Sequence, residues 1–280
     1  MGFSGVAGGL GRGRHGLSSP HDFFASSIVT PRAELVRAFD AVLQPERFRD
    51  YGPNGLQVEG RAQVGKIVSG VTASRALIEA AVAERADAIV VHHGLFWRGQ
   101  DACVTGWMKQ RLALLLAHDI NLLAYHLPLD AHPELGNNAQ LGQRLGLLCQ
   151  SRFGDQDLGF LGQAADGTAF ASAGQLAARL EGVLGRAVTL IEPVVQPIQR
   201  VAWCSGGAQG FFEAAIAAGA QAFISGELSE PQVHYARECG VAYLACGHHA
   251  SERYGAPAVA AHVAQQLGLQ HVFIDIDNPA

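Results

Sequence analysis

Four short apolar runs constrain this chain more than any other feature of its sequence. They are Ala88–Val91, Leu122–Tyr125, Ala222–Ile224 and Val241–Ala245. A run this brief, apolar at nearly every position, is too short for a helix and reads as a strand buried on both faces. Helical segments stand beside them: Ser74–Arg85, Met108–Ala117, Phe211–Ala218 and Pro231–Cys239. Further strands are expected at Lys66–Val71, Ala187–Ile191, Arg200–Cys204 and Val272–Ile276. Further helices are expected at Asn137–Leu145, Ala173–Leu184, Tyr254–Leu267 and from an N-cap at Thr30 to Leu43. Strand–helix alternation at this spacing predicts an α/β protein with mainly parallel sheets covered by helices.

A weak internal repeat sharpens this. Glu79–His93 and Glu213–Glu227 align without a gap and share six of fifteen residues. Each then leads to a helix, an apolar strand, and a histidine four residues before a carboxylate: His126…Asp130 and His248…Glu252. The preferred architecture is therefore two similar α/β lobes facing a shared cleft. The first is expected over residues 30–130 plus 240–280 and the second over 131–239. With 280 residues the chain buries a core without disulfides or a structural metal.

Composition removes several classes. Twenty basic against twenty-five acidic residues give a net charge of −5, which disfavours a nucleic-acid partner. No apolar run approaches the ~18–20 residues of a membrane span. The five cysteines form no C-x-x-C pair and read as small buried hydrophobes in a reducing cytoplasm. Residues 1–29 are Gly-rich, lack the apolar run of a signal peptide, and are expected to be a disordered leader with order beginning near Thr30–Pro31.

The chemistry gathers where the strands end. His92 and His93 follow the first apolar run, His126 and Asp130 the second, Glu227 the third, and His248, His249 and Glu252 the fourth. Imidazole with carboxylate suits zinc, iron, manganese or nickel. In a loop after the strand, adjacent histidines could reach two neighbouring ions bridged by a carboxylate, as in two-metal hydrolases. Glu227 is a candidate proton carrier. The Ser205–Gly210 turn reads either as an anion cradle or as a packing turn, and it does not fit G-x-G-x-x-G. Trp97, Trp107 and Trp203 could stack a base, but burial in a core or interface is the default. His118, His234, His262 and His271 receive no role.

Tyr51–Gly60 (YGPNGLQVEG), Val91–Gly94 (VHHG), His126–Asp130 (HLPLD) with Gly136–Asn138, and Gly247–Glu252 (GHHASE) together resemble a known family. It is the Nif-three-like dinuclear metal-centre family, often labelled GTP cyclohydrolase I type 2 homologue, and the resemblance to its short bacterial YbgI-type members runs from Thr30 to Ala280. It implies a two-lobed α/β subunit, a homohexameric ring and two divalent ions per subunit. By motif the ligands would be His92, His93, Asp130, His248 and Glu252, with Glu252 as a bridge. His126 would stand behind them orienting Asp130, and His249 would line the pocket. The implied activity is hydrolysis of a small molecule through a metal-bound hydroxide, in its narrowest form ring opening of guanine in GTP. The alternative is a non-enzymatic ring that binds, stores or delivers metal, or regulates.

Overall fold

The computed structural model describes residues 1–2 and 28–280; most of the expected leader, residues 3–27, lies outside the described residues. The chain opens with β1 (Thr30–Pro31), α1 (Arg32–Leu43), β2 (Gly55–Val58), β3 (Gln63–Val64) and β4 (Lys66–Thr72). It continues through α2 (Arg75–Ala83), β5 (Ala88–His93), α3 (Gly106–Ala117), β6 (Asn121–Ala124), α4 (Leu127–Ala131) and α5 (Asn137–Leu145). Then come β7 (Leu147–Phe153), β8 (Gly159–Ala164), α6 (Ala173–Leu184), β9 (Thr189–Ile191), β10 (Val201–Cys204) and α7 (Phe212–Ala217). Last are β11 (Ala222–Ser225), α8 (Glu230–Cys239), β12 (Ala242–Ala245), α9 (His248–Glu252), α10 (Gly255–Leu267) and β13 (Gln270–Phe273).

Two large sheets organise these elements. The first has the order β13-β4-β5-β6-β2, parallel except for β2. The second has the order β7-β8-β10-β11-β12-β9; only β10/β11 and β11/β12 are parallel. It is thus a mixed sheet, less parallel than expected, because the β7–β8 hairpin and β9 add antiparallel edges. The hairpin escaped sequence reading for a physical reason: β7 is an edge strand with polar and half-exposed positions, so it carries no continuous apolar run.

The short apolar runs fill cores on both sheet faces. In β5, Ala88 and Val90 join the layer of Phe39 and Val259, whereas Ile89 and Val91 join that of Leu77 and Leu122. In β11, Ala222 and Ile224 face Leu176 and Leu180, and Phe223 faces Phe212 and Tyr243. This is the period-two alternation of a strand with no solvent face.

The internal repeat is visible in space. The units β4-α2-β5-α3-β6-α4 and β10-α7-β11-α8-β12-α9 each set three parallel strands beside one another, with an antiparallel strand beyond the third. Two expectations need correction. Strand β12, expected in the first lobe, pairs with β11 and belongs to the second sheet. Thr30–Pro31 does not open the helix by side-chain capping; it forms β1 against β3, and α1 follows Pro31 without a side-chain cap. The chain passes from one sheet to the other through α4 and α5, and returns through α9 and α10. Both short helices, α4 and α9, lie at these crossings.

Candidate metal centre at the seam of the two sheets

Strand β5 carries His92 and His93 at its end, α4 follows His126 and bears Asp130, and α9 begins at His248 and ends at Glu252. The structure brings these six side chains together. Their donor atoms form three overlapping groups: His92, His93 and His126; His93, His248 and Glu252; His92, Asp130 and Glu252. Within each group the atoms lie within 4.8 Å of one another.

Each of the four imidazoles is fixed through Nδ1. His92 Nδ1 faces the Tyr125 carbonyl at 3.1 Å and His93 Nδ1 the Thr72 hydroxyl at 3.1 Å. His126 Nδ1 pairs with Asp50 at 2.7 Å, and His248 Nδ1 with Glu227 at 2.7 Å. A ring held this way presents a defined Nε2, the arrangement that orients metal-ligating histidines. Glu252 divides its oxygens between the groups: Oε1 is 3.3 Å from His92 Nε2, while Oε2 is 3.2 Å from His93 Nε2 and 3.1 Å from His248 Nε2.

Burial and charge set the electrostatics. Asp130 and Glu252 are both buried. Burial pushes the Asp130 carboxyl up; it would do the same to Glu252, but the surrounding imidazoles hold that carboxyl well below its ordinary range. Burial works against a proton on His92, yet Asp130 and Glu252 raise it to about 9. His248 is raised to about 9 by the adjacent Glu252 carboxylate, while burial and the neighbouring His92 drive His93 down to about 3. Two buried carboxylates therefore demand positive charge from whatever sits among them. His92 Nε2 and Glu252 Oε2 are also buried without a hydrogen-bond partner, a cost that a cation would remove. The residues present fit a metal.

Not every expected role matches its position. His126 does not hydrogen-bond Asp130. That carboxylate accepts from Asn137 Nδ2 at 2.9 Å and Ser205 Oγ at 3.2 Å, leaving His126 beside His92 and His93 as a candidate donor. His249 faces away from the cluster and pairs with Asp275 at 2.8 Å. Glu227 holds His248, and its other oxygen accepts from Gln209 Nε2 at 3.2 Å. The Ser205–Gly210 segment packs as a turn against α9: Gly206 N donates to Ser251, φ is +68°, and a Cβ there would collide with Glu252. Gly94 has a similar reason to lack a side chain, because Gln57 lies against it and accepts from Leu95 N.

Sequence reading missed Asp50. Besides His126, it accepts from Leu127 N at 2.9 Å and Asn54 Nδ2 at 2.9 Å, while Asn54 accepts from His126 N at 2.7 Å. Its one sequence signal was its place immediately before Tyr51–Gly60. Trp97 stands edge-on to His126, with centroids 5.0 Å apart, whereas Trp203 is core.

Fold and site define a two-sheet α/β protein with a candidate metal centre where its sheets meet. The chain belongs to the Duf34/NIF3 (NGG1p interacting factor 3) family, whose model matches residues 30–279. A Neisseria meningitidis serogroup A protein named GTP cyclohydrolase 1 type 2 homolog is 52% identical over 252 residues, 89% of this chain and 99% of its own. A namesake from Allochromatium vinosum is 49% identical over 91% of this chain and 100% of its own. Among solved structures, protein ybgI, described as of unknown function, superposes with a TM-score of 0.86 at 45% identity, covering 90% of this chain and all of its own. TTHA1606 from Thermus thermophilus gives 0.79 at 34% identity with the same coverage. The expected family and two-lobed α/β fold are thereby established. No helix among the described residues is long and apolar enough to cross a membrane.

Proposed function

We propose that this chain is a metal-dependent hydrolase built around a pair of divalent ions. The observation that carries the reading is the convergence of four imidazoles, each ring fixed at Nδ1, and two buried carboxylates into three overlapping donor groups. Six donor residues exceed what one four-coordinate ion takes, and three overlapping groups sharing His92, His93 and Glu252 suit two. His92, His93, His126, Asp130, His248 and Glu252 would hold the ions, with Glu252 between them. Zinc, iron, manganese and nickel all suit this donor set. Bound there, two divalent ions would supply Lewis acidity and lower the pKa of a nearby water. The protein's own part is orientation and proton handling. Asp50 and Glu227 fix the tautomers of His126 and His248, and the half-exposed Glu227 carboxylate is placed to carry a proton at Oε2.

The relatives' name extends the reading to GTP, with opening of the guanine ring and release of formate as the narrow form. A homohexameric ring is the proposed assembly. One observation favours a second reading, metal storage or regulation without turnover. The space among His92, His126, Gly94 and Trp97 is about 10 Å³, room for little beyond a water.

The test is elemental analysis of untagged protein beside Glu252→Ala, followed by turnover assays with GTP and phosphoesters. About two ions per subunit, lost in the variant, with formate or phosphate released, is the expected outcome. Metal without turnover would leave the storage reading. Little metal after reconstitution with zinc, iron or manganese would overturn both.

A further inference from the structure

Behind the metal centre, on the far side of α4, an open groove of about 540 Å³ lies between the two lobes, within the size range of small-molecule sites. Its floor is α4 (Pro128 and Ala131), one wall is the end of α1 with the following turn (Val42 to Phe48), and the other is the end of β7 with its turn (Arg152 to Asp157). Gln156 ties the walls together: its Oε1 accepts from Arg49 N at 2.8 Å, and its Nε2 donates to Arg49 O at 3.2 Å.

The polar groups of this groove are biased towards donors. The Arg152 guanidinium stacks 3.4 Å from the Phe160 ring centroid and donates to two backbone carbonyls, Ala131 O at 3.1 Å and Asp157 O at 3.3 Å. Among the described residues no carboxylate lies within ion-pair distance of it, so further N–H groups are available, although Asp157 in the same lining is near enough to favour its charge. Arg47, on the opposite wall, donates only to the neutral Gln44. His132 Nδ1 accepts from Glu134 N and Leu135 N, which places the ring proton on Nε2 as a third donor. Asp157 is the single carboxylate residue in the lining. Two unpaired guanidiniums over an apolar floor call for a complementary anion with an apolar body.

We propose that this groove is a binding site for a small organic anion, its charged group held between Arg47 and Arg152 and its apolar part resting on Pro128 and Ala131. The site is independent of the hydrolase reading, yet physically connected to the metal cluster. Ala131 follows Asp130, and the wall ending at Phe48 leads through Arg49 to Asp50, which holds His126.

The probe is anilinonaphthalene sulfonate, an aromatic anion, titrated into the full chain by fluorescence beside neutral phenylnaphthylamine. The expected result is saturable binding of one sulfonate dye per chain, weakened at least about tenfold by Arg47→Gln and by Arg152→Gln. The neutral dye should bind weakly and respond to neither variant. Arg152→Gln also removes packing on Phe160, so Arg47→Gln, with circular dichroism unchanged, carries the decision. Unaltered sulfonate affinity in folded Arg47→Gln would overturn the proposal, as would equal binding of the neutral dye.

Discussion

At the scale of single residues, His126 and His248 occupy equivalent places in the two halves: each follows the third parallel strand of its unit, and each has Nδ1 2.7 Å from a carboxylate. The carboxylates come from different places, Asp50 from the loop before β2 and Glu227 from the end of β11. Asp50 also accepts three further hydrogen bonds and its side chain is almost fully buried, whereas Glu227 is half-exposed. Removing the orienting charge should loosen the imidazole and weaken its hold on metal by about 10–100-fold. Asp50→Asn should therefore cost one ion much of its affinity, and Glu227→Gln should weaken the other less, because solvent screens it. Chelator competition resolves the two steps. Equal, simultaneous loss of both ions in Asp50→Asn would contradict the assignment.

At the scale of elements, the crossings matter most. Asn137, at the start of α5, donates to Asp130 and accepts from Gly255 N at the start of α10, tying the outgoing crossing to the returning one. Beyond it, β13 closes the first sheet beside β4, with His271 at 2.8 Å from the Ser69 hydroxyl. Burial lowers His271 from its ordinary value of 6.5. Below that value the unfolded chain takes up a proton that the folded strand resists. The stability contribution is complete above about pH 6.5 and is lost as pH falls through the depressed folded value. His271→Gln should flatten this acid slope, measured as urea midpoints on either side of pH 6.5; an unchanged slope would assign the acid sensitivity to other groups.

At the scale of the molecule, the two lobes seal their seam while leaving the periphery open. Cys204 and Cys246 lie buried in the cores on the two faces of the second sheet; burial raises both thiols, Cys246 to about 12. Cys103 and Cys239 are exposed. Iodoacetamide on the native protein followed by peptide mapping should modify Cys103 and Cys239 and spare Cys204 and Cys246, with all five reacting after denaturation. Rapid native labelling of Cys204 would show that the core of the second sheet opens readily.

Sequence alone determined the features that local pattern dictates. Apolar runs such as Ala88–Val91 specify strands buried on both faces, because a short chain segment has no other way to hide every side chain. The same runs end in His92, His93, His126, Asp130, His248 and Glu252, since residues after a strand's carboxyl end are the first free to face a cleft. Only the tertiary structure decided the relations between distant segments. Asp50 meets His126 although the two stand 76 positions apart in the chain, a contact with no local period to announce it. β12 joins the second sheet because its pairing with β11 sets its place, whereas its own sequence would suit either sheet equally well. The roles of His126 and His249 likewise turned on which way a ring points once two lobes close, and that is fixed by hydrogen-bond partners brought from elsewhere in the chain.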